Sequence, residues 1–299
     1  MKKKCIIISG PTAVGKTALA VQVAQHFSTS IISADSRQCY QELNIGVAKP
    51  SLQELQAVHH YFINSHSIHQ SVNAADFERY ALAAVQEIFS VADVAVMVGG
   101  TGLYIKAFQE GLDQIPPIPN EFRNNLIAQY EQLGLDWLVQ QIQNSDPEFF
   151  TTGEIHNPQR MLRALEVRLF TGKSIRSFQN NKAVNRDFDC INIAVELPRA
   201  DLYSRINIRV DDMIEQGLVN EVAQLAPFRH LNALQTVGYK ELFEYVDQSV
   251  TLDFAIEKIK QNSRHYAKRQ ITWLKNQFHH SQWLPPDVPK VIAHIASML

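Results

Sequence analysis

Residues Gly10-Pro11-Thr12-Ala13-Val14-Gly15-Lys16-Thr17 follow directly on the apolar run Cys5-Ile6-Ile7-Ile8 and fit G-x-x-x-x-G-K-[ST] at every fixed position. The pattern makes a demand on the whole fold. A strand must enter, glycines must let backbone N–H groups converge on phosphate oxygens, and a helix must leave with its positive end toward the anion. Lys16 supplies a point charge and the Thr17 hydroxyl can hold Mg2+. The residues after Thr17, Ala18 to Ala24, continue as good helix formers. Gly10 to Thr17 is therefore the candidate phosphate loop, whether the phosphates belong to a nucleotide or to another molecule.

The rest of the first hundred residues alternates short apolar runs with helical stretches: Ser30 to Ser33, then Val94 to Val98. Such alternation predicts βαβ units and a parallel sheet, and runs this apolar suit strands covered on both faces. The expected fold is α/β, a P-loop NTPase-like parallel sheet core with a mostly helical inserted subdomain and a helical C-terminal region. Ile115-Pro116-Pro117-Ile118-Pro119 is a breaker, after which Phe122, Leu126, Tyr130 and Leu133 stand at helical spacing to open a helical stretch reaching about Gly172. Ser174 to Asp189 reads as a loop, and Cys190 to Val195 as a strand returning the chain to the sheet. The expected division is a core of 1–114 and 190–299 around an insert of 115–189. After Leu197-Pro198 everything reads as helix, through Tyr203 to Leu225 and Leu252 to Phe278.

Composition excludes rather than assigns. Lys and Arg number 28 against 30 Asp and Glu in 299 residues, so a formal charge of −2 gives no global sign of nucleic-acid binding, and any such surface needs local asymmetry. Cys5, Cys39 and Cys190 stand far apart, and His59-His60 and His279-His280 lack metal-type partners, which speaks against a structural metal or a disulfide framework. The apolar run after Lys2-Lys3-Lys4 breaks at Ser9-Gly10-Pro11, too short for a signal or a membrane span, and a cytoplasmic protein is expected.

Asp35 follows the second strand at the edge where parallel sheets bind ligands. It can hold Mg2+ through water, act as a base, or simply close a turn. Val98-Gly99-Gly100-Thr101 ends in glycines and a hydroxyl where a nucleotide hydrolase would place Asp. The glycines leave room for a ligand to approach, or merely cap the next helix. Arg160, Arg163 and Arg168 share a helix, and Arg205 and Arg209 form an i,i+4 pair spaced for a diphosphate or for surface ion pairs. Lys260, Arg264, Lys268 and Lys275 fall on one face of the last long helix. Ile256, Ile259, Tyr266, Trp273 and Leu274 fall toward the other, so the helix reads as a basic stripe facing outward or as an ordinary amphipathic helix.

Taken together, GPTAVGKT at Gly10, ISADSRQCY at Ile32, IGVAKP at Ile45, AADF at Ala74, VGGTGLYIKA at Val98, QRMLRALEV at Gln159, VGYKE at Val237 and YAKRQITWL at Tyr266 resemble the tRNA dimethylallyltransferase family, from the first strand to about Trp283. The resemblance implies transfer of a dimethylallyl group from dimethylallyl diphosphate to the exocyclic N6 amine of the adenosine 3′ of the anticodon, with Mg2+ required and diphosphate released by in-line displacement. It implies that Gly10 to Thr17 hold the diphosphate, with Thr17 on the metal and Arg209 as a second phosphate contact. It further implies Asp35 as general base, with Thr101 beside it positioning the reacting groups. Asp35, Ser36, Arg37, Gln38, Thr101, Arg123, Gln159, Arg160, Met161, Leu162, Arg163, Lys240, Arg264, Lys268 and Arg269 match the family's tRNA contacts. The insert is then a tRNA-binding subdomain, the partner is the anticodon stem-loop, and a monomer off the membrane is expected.

Departures touch the periphery. Val47 stands where the family usually has Thr, Ser263-Arg264-His265-Tyr266 replaces a commoner TRQY opening, and no zinc-finger pattern follows, as in the compact bacterial form. Three rivals share the loop: a small-molecule kinase using ATP, a transferase acting on free adenine nucleotides, and a regulatory nucleotide-binding module. Gly99 and Gly100, the long helical insert and the basic C-terminal helix speak against the kinase.

Overall fold

The computed structural model describes residues 2–179, 183–278 and 281–299; the His279-His280 pair lies outside the described residues. In chain order, β1 (Lys4–Ser9) feeds the phosphate loop into α1 (Lys16–His26). Then come β2 (Ile31–Ala34), α2 (Leu52–Ala57), β3 (His60–Tyr61), α3 (Ala74–Val91), β4 (Val94–Gly99) and α4 (Gly102–Glu110). Three helices follow: α5 (Asn120–Ser145), α6 (Pro147–Thr152) and α7 (Pro158–Thr171). The chain then runs through β5 (Asp189–Val195), α8 (Arg199–Glu215), α9 (Leu218–Leu225), α10 (Tyr239–Val246), α11 (Leu252–Gln277), β6 (Gln282–Leu284) and α12 (Val288–Ala296).

All pairings of the six-stranded sheet are parallel, in the order β3-β2-β4-β1-β5-β6. The register decides where the site can form. Ser9 pairs with Gly99 on one side and Ala194 on the other, and Ala34 pairs with Gly99. The phosphate loop, the turn after Ala34 and the turn after Gly99 therefore leave the sheet side by side at its C-terminal edge, the ligand edge of such folds.

Strand β1 shows how both faces are covered. Cys5 and Ile7 pack into one core with Met97, Phe77, Phe108 and Leu274, while Ile6 and Ile8 pack into the other with Leu19, Val23, Ile206 and Val291; all four β1 side chains are fully buried. Burying an isoleucine in this way contributes about 1.5–3 kcal/mol. That is why the expected strand run is uniformly apolar rather than alternating.

The chain divides into two compact units, 1–111 with 184–299 and 112–183. The smaller unit has its own core of Leu126, Leu138, Ile142, Phe149, Met161, Ala164 and Leu165. Its longest helix, α5, is broken at Gly134, whose φ of 80° and ψ of −173° are not helical. The apolar spacing that predicts a continuous helix thus ends at Leu133, which is exposed. Helix α7 starts where Asn157 accepts the backbone N–H groups of Gln159 and Arg160, with Pro158 in its first turn.

Two expectations for the C-terminal half are corrected. Tyr203 to Leu225 is not one helix, because Gly217 at φ 100° separates α8 from α9. The last segment is not wholly helical either, since Gln282–Leu284 adds an edge strand on β5. A strand of three residues leaves no periodicity to read.

Candidate active site

The phosphate loop takes its shape from close approaches. A Cβ on Gly10 would fall 2.7 Å from the Val195 carbonyl oxygen, and Gly15 holds a φ of 99° where the loop turns into α1. Lys16 Nζ donates to the Pro11 carbonyl oxygen at 2.6 Å. Burial, reinforced by the neighbouring Arg209 cation and opposed by Asp35, brings the Lys16 ammonium down to about 7. Arg209 Nη1 donates to the Thr12 hydroxyl at 3.2 Å, and burial lowers this guanidinium as well. The other half of the i,i+4 pair faces the same loop, for Arg205 Nη1 would lie 3.6 Å from a Cβ on Gly15. Three cations thus converge on a loop that holds no anion of its own.

Asp35 serves two ends. Its Oδ1 accepts the backbone N–H groups of Arg37 at 2.9 Å and Gln38 at 3.3 Å, so the turn reading of this residue holds for one oxygen. No donor among the described residues is bonded to Oδ2. Thr101 Oγ1 accepts the Ser36 N–H at 3.1 Å, while its own backbone N–H donates to the Ala34 carbonyl. The hydroxyl therefore fixes the turn that carries Asp35. The room expected at the glycines is taken up by protein: a Cβ on Gly99 would fall 2.1 Å from the Ala34 carbonyl oxygen, one on Gly100 2.2 Å from Gln270 Nε2, and one on Gly102 2.1 Å from the Trp273 ring. These glycines admit β2 and α11 rather than a ligand.

Two cavities open at this edge. The smaller, about 300 Å³, is lined by Lys16, Thr17, Gln38, Lys49 and Gln270. The larger, about 680 Å³, is lined by Ser36, Arg37, Lys240, Ser263 and Arg269. Thr12, Asp35, Arg209 and Tyr266 line both, whereas Thr101 lines neither. Tyr266 was expected on the inward face of α11, but its ring is 37% exposed, lies within 5.7 Å of the Arg269 guanidinium carbon, and meets the cavities instead of the core. Burial and the Asp35 carboxylate push its hydroxyl up to about 12.

Residues without a signal of their own hold the rim. Glu221 accepts the backbone N–H groups of Asn44 (3.2 Å), Ile45 (2.8 Å) and Gly46 (3.1 Å), and the Tyr239 hydroxyl at 2.6 Å. The rim then reaches the Asp35 turn through Gln38 Nε2, which donates to the carbonyls of Val47 at 3.3 Å and Ala48 at 2.9 Å. Because Val47 acts here through its carbonyl, a hydroxyl on its side chain is not needed for this contact. Lys49 donates to the Tyr40 carbonyl at 2.7 Å and to Asn44 Oδ1 at 3.1 Å, and burial brings it down to about 8. Glu241 accepts from Gly238 N–H at 2.8 Å and Asn262 Nδ2 at 2.6 Å, which sets the turn carrying Lys240.

The basic stripe of α11 is divided. Lys260 is paired with Asp211 at 2.8 Å and Glu257 at 3.1 Å, and Arg264 donates to Asn207 Oδ1 at 2.6 Å, whereas Lys268 is exposed. In the smaller unit Arg123, Gln159 and Arg160 are exposed, Arg160 pairs with Glu154, and Arg163 reaches the buried Glu166 at 2.9 Å. Leu162 is half-buried against that unit's core, and Met161 is fully buried within it. The Met161 side chain therefore packs the insert and presents nothing to a partner.

The family model described as IPP transferase matches residues 38–277. The chain belongs to the IPP transferase family. A tRNA dimethylallyltransferase of Christiangramia forsetii is 48% identical over 275 residues, covering 92% of this chain and 91% of that protein. One of Flavobacterium johnsoniae is 45% identical over 305 residues, covering 99% and 98%. Among solved structures, a tRNA delta(2)-isopentenylpyrophosphate transferase of Staphylococcus epidermidis superposes with a TM-score of 0.72 at 34% identity, covering 99% of this chain and 98% of that one. The matched span begins after the phosphate loop, so the loop's geometry stands as a separate observation.

Proposed function

We propose that this chain transfers a dimethylallyl group from dimethylallyl diphosphate to the exocyclic N6 amine of the adenosine 3′ of the anticodon in tRNA. One observation carries the assignment of parts: Asp35 and Arg209 line both the phosphate-loop cavity and the larger cavity beside it. A donor in the small cavity and a base in the large one would meet at that shared wall. The N6 nitrogen attacks the donor's first carbon as the carbon–oxygen bond to diphosphate breaks. The amine proton passes to Asp35, and the diphosphate leaves with the bonding electrons. An exocyclic amine conjugated to a purine is a poor nucleophile, so a base held by its own turn is of use.

Lys16, Arg209 and the loop's N–H groups are placed to stabilise the departing charge. Thr17 and Asp35 line the small cavity and offer hard oxygen donors, and among the described residues no group of three His, Cys, Asp or Glu could hold a metal unaided. This donor set fits Mg2+ carried largely by phosphate oxygens, with Thr17 as the protein's contribution. Bound there, the ion would neutralise developing charge on the diphosphate. Tyr266 and Arg269 offer a stacking surface for an extruded base. Lys240, Lys268 and Arg264, with Arg123, Gln159, Arg160 and Arg163 of the insert, are the proposed tRNA contacts. A monomer is the proposed acting form, and a tRNA acceptor supports a reaction in the cytoplasm. No helix among the described residues is long and apolar enough to cross a membrane.

The test is incubation with labelled dimethylallyl diphosphate, Mg2+ and unmodified tRNA, in parallel with labelled ATP and small acceptors. Label entering tRNA supports the reading. Phosphoryl transfer from ATP to a small acceptor would replace it with a kinase.

A further inference from the structure

Gln270 is a side chain that the chemistry above does not use. It is 9% exposed, and both ends of its amide are engaged: Oε1 accepts the Thr12 N–H at 2.8 Å, and Nε2 donates to the Gly100 carbonyl at 3.0 Å. Thr12 belongs to the phosphate loop. Gly100 precedes Thr101, whose hydroxyl fixes the turn of Asp35. One planar amide thus joins α11 to both loops that shape the donor side. On the same helix, Tyr266 lies one turn before Gln270 and lines both cavities, and Arg269 lines the larger.

The first of these bonds has a consequence for phosphate binding. A backbone N–H is a single donor, so while Gln270 accepts it, the Thr12 N–H cannot be given to a phosphate oxygen. The two bonds also leave little slack. Hydrogen bonds weaken steeply as alignment is lost, so a small shift of α11 would release one loop or the other.

We propose that Gln270 is a positioning residue that couples the two cavities: RNA seated against Tyr266 and Arg269 shifts α11, Gln270 releases the Thr12 N–H, and the phosphate loop gains a donor for diphosphate. The idea rests on the assignment of the small cavity to diphosphate and the large one to RNA. By linkage, diphosphate tightens RNA binding by the same factor.

The experiment measures binding of inorganic diphosphate, with Mg2+, to the full chain in the absence and presence of a synthetic anticodon stem-loop RNA. In the wild type, RNA should tighten diphosphate binding about fivefold or more. In Gln270→Met the Thr12 N–H is free from the start, and the ratio should fall to about one. Gly100→Ala, whose Cβ would fall 2.2 Å from Nε2, displaces the amide without removing it and should give the same loss in a differently altered fold. Gln270→Glu keeps an acceptor for the Thr12 N–H in either protonation state and, when ionised, loses only the donor to the Gly100 carbonyl, so coupling should persist in it; a purely structural defect at this position would remove coupling here too. Coupling that persists in Gln270→Met, or is absent from a wild type that binds both ligands, overturns the proposal and leaves the functional reading intact. A wild type that binds neither ligand overturns both.

Discussion

Asp35 Oδ1 accepts the Arg37 N–H at 2.9 Å, so the residue proposed as the base also builds the turn that presents it. The two roles can be separated. Asp35→Asn keeps an acceptor oxygen for the turn but cannot take a proton, and we expect single-turnover transfer to slow by about 10²–10⁴-fold while RNA binding changes little. Asp35→Ala loses the turn as well and should also weaken RNA binding. Near-normal transfer by Asp35→Asn would sink the assignment of the base.

Lys16 gives the donor site a pH dependence with a definite sign. In the ligand-free protein its ammonium titrates at about 7, against 10.5 for an ordinary lysine. A bound diphosphate raises that value, so binding takes up a proton above pH 7 and affinity for dimethylallyl diphosphate should fall with rising pH, at most about tenfold per unit. Titrations between about pH 6 and pH 9 at fixed Mg2+ should show this slope, and Lys16→Arg, which keeps its charge, should flatten it. Stability of the ligand-free fold moves the other way: it rises with pH between about 7 and 10.5, because the unfolded chain still holds the proton that the folded one has lost.

The divided stripe on α11 predicts a divided response to salt. Lys268→Ala should lower the slope of log affinity for RNA against log salt by about one. Lys260→Ala should leave that slope alone and instead cost about 0.5–1 kcal/mol of stability, since its charge is engaged by Asp211 and Glu257. Equal salt slopes for the two variants would mean that both lysines meet phosphate.

The rim depends on one carboxylate. Glu221→Ala leaves three backbone N–H groups and the Tyr239 hydroxyl without their acceptor, at a cost of about 2–3 kcal/mol in urea denaturation. Tyr239→Phe removes only one of those bonds and should cost about 1 kcal/mol. A Glu221→Ala protein as stable as wild type would show that the Asn44 to Gly46 segment finds other partners.

What could be read from the sequence follows from how each feature is encoded. The four central strands were legible because burial on both faces makes their runs mostly apolar, and the phosphate loop because its backbone shape demands Gly10 and Gly15 while its chemistry demands Lys16 and Thr17. Gln270 was not legible, since its partners are a backbone N–H and a carbonyl that leave no side-chain signature. Glu221 was hidden for the same reason, as its acceptor role is to three consecutive backbone groups. Gly99, Gly100 and Gly102 announced close approach but not what approaches. Met161 shows the opposite failure: a motif spanning Gln159 to Arg163 mixes surface contacts with core packing, and only burial separates them.

The bond between Thr12 and Gln270 spans 258 positions, and this has a consequence for how the protein is made. At about 5–20 residues per second, a ribosome completes the phosphate loop some tens of seconds before the helix that holds it. Strand β1 can pair with β4 well before β5, its neighbour on the other side, has been made. A nascent chain therefore carries the loop without this hold on Thr12 until α11 has been made. The link between the phosphate loop and α11 is thus one of the last parts of the fold that synthesis makes possible.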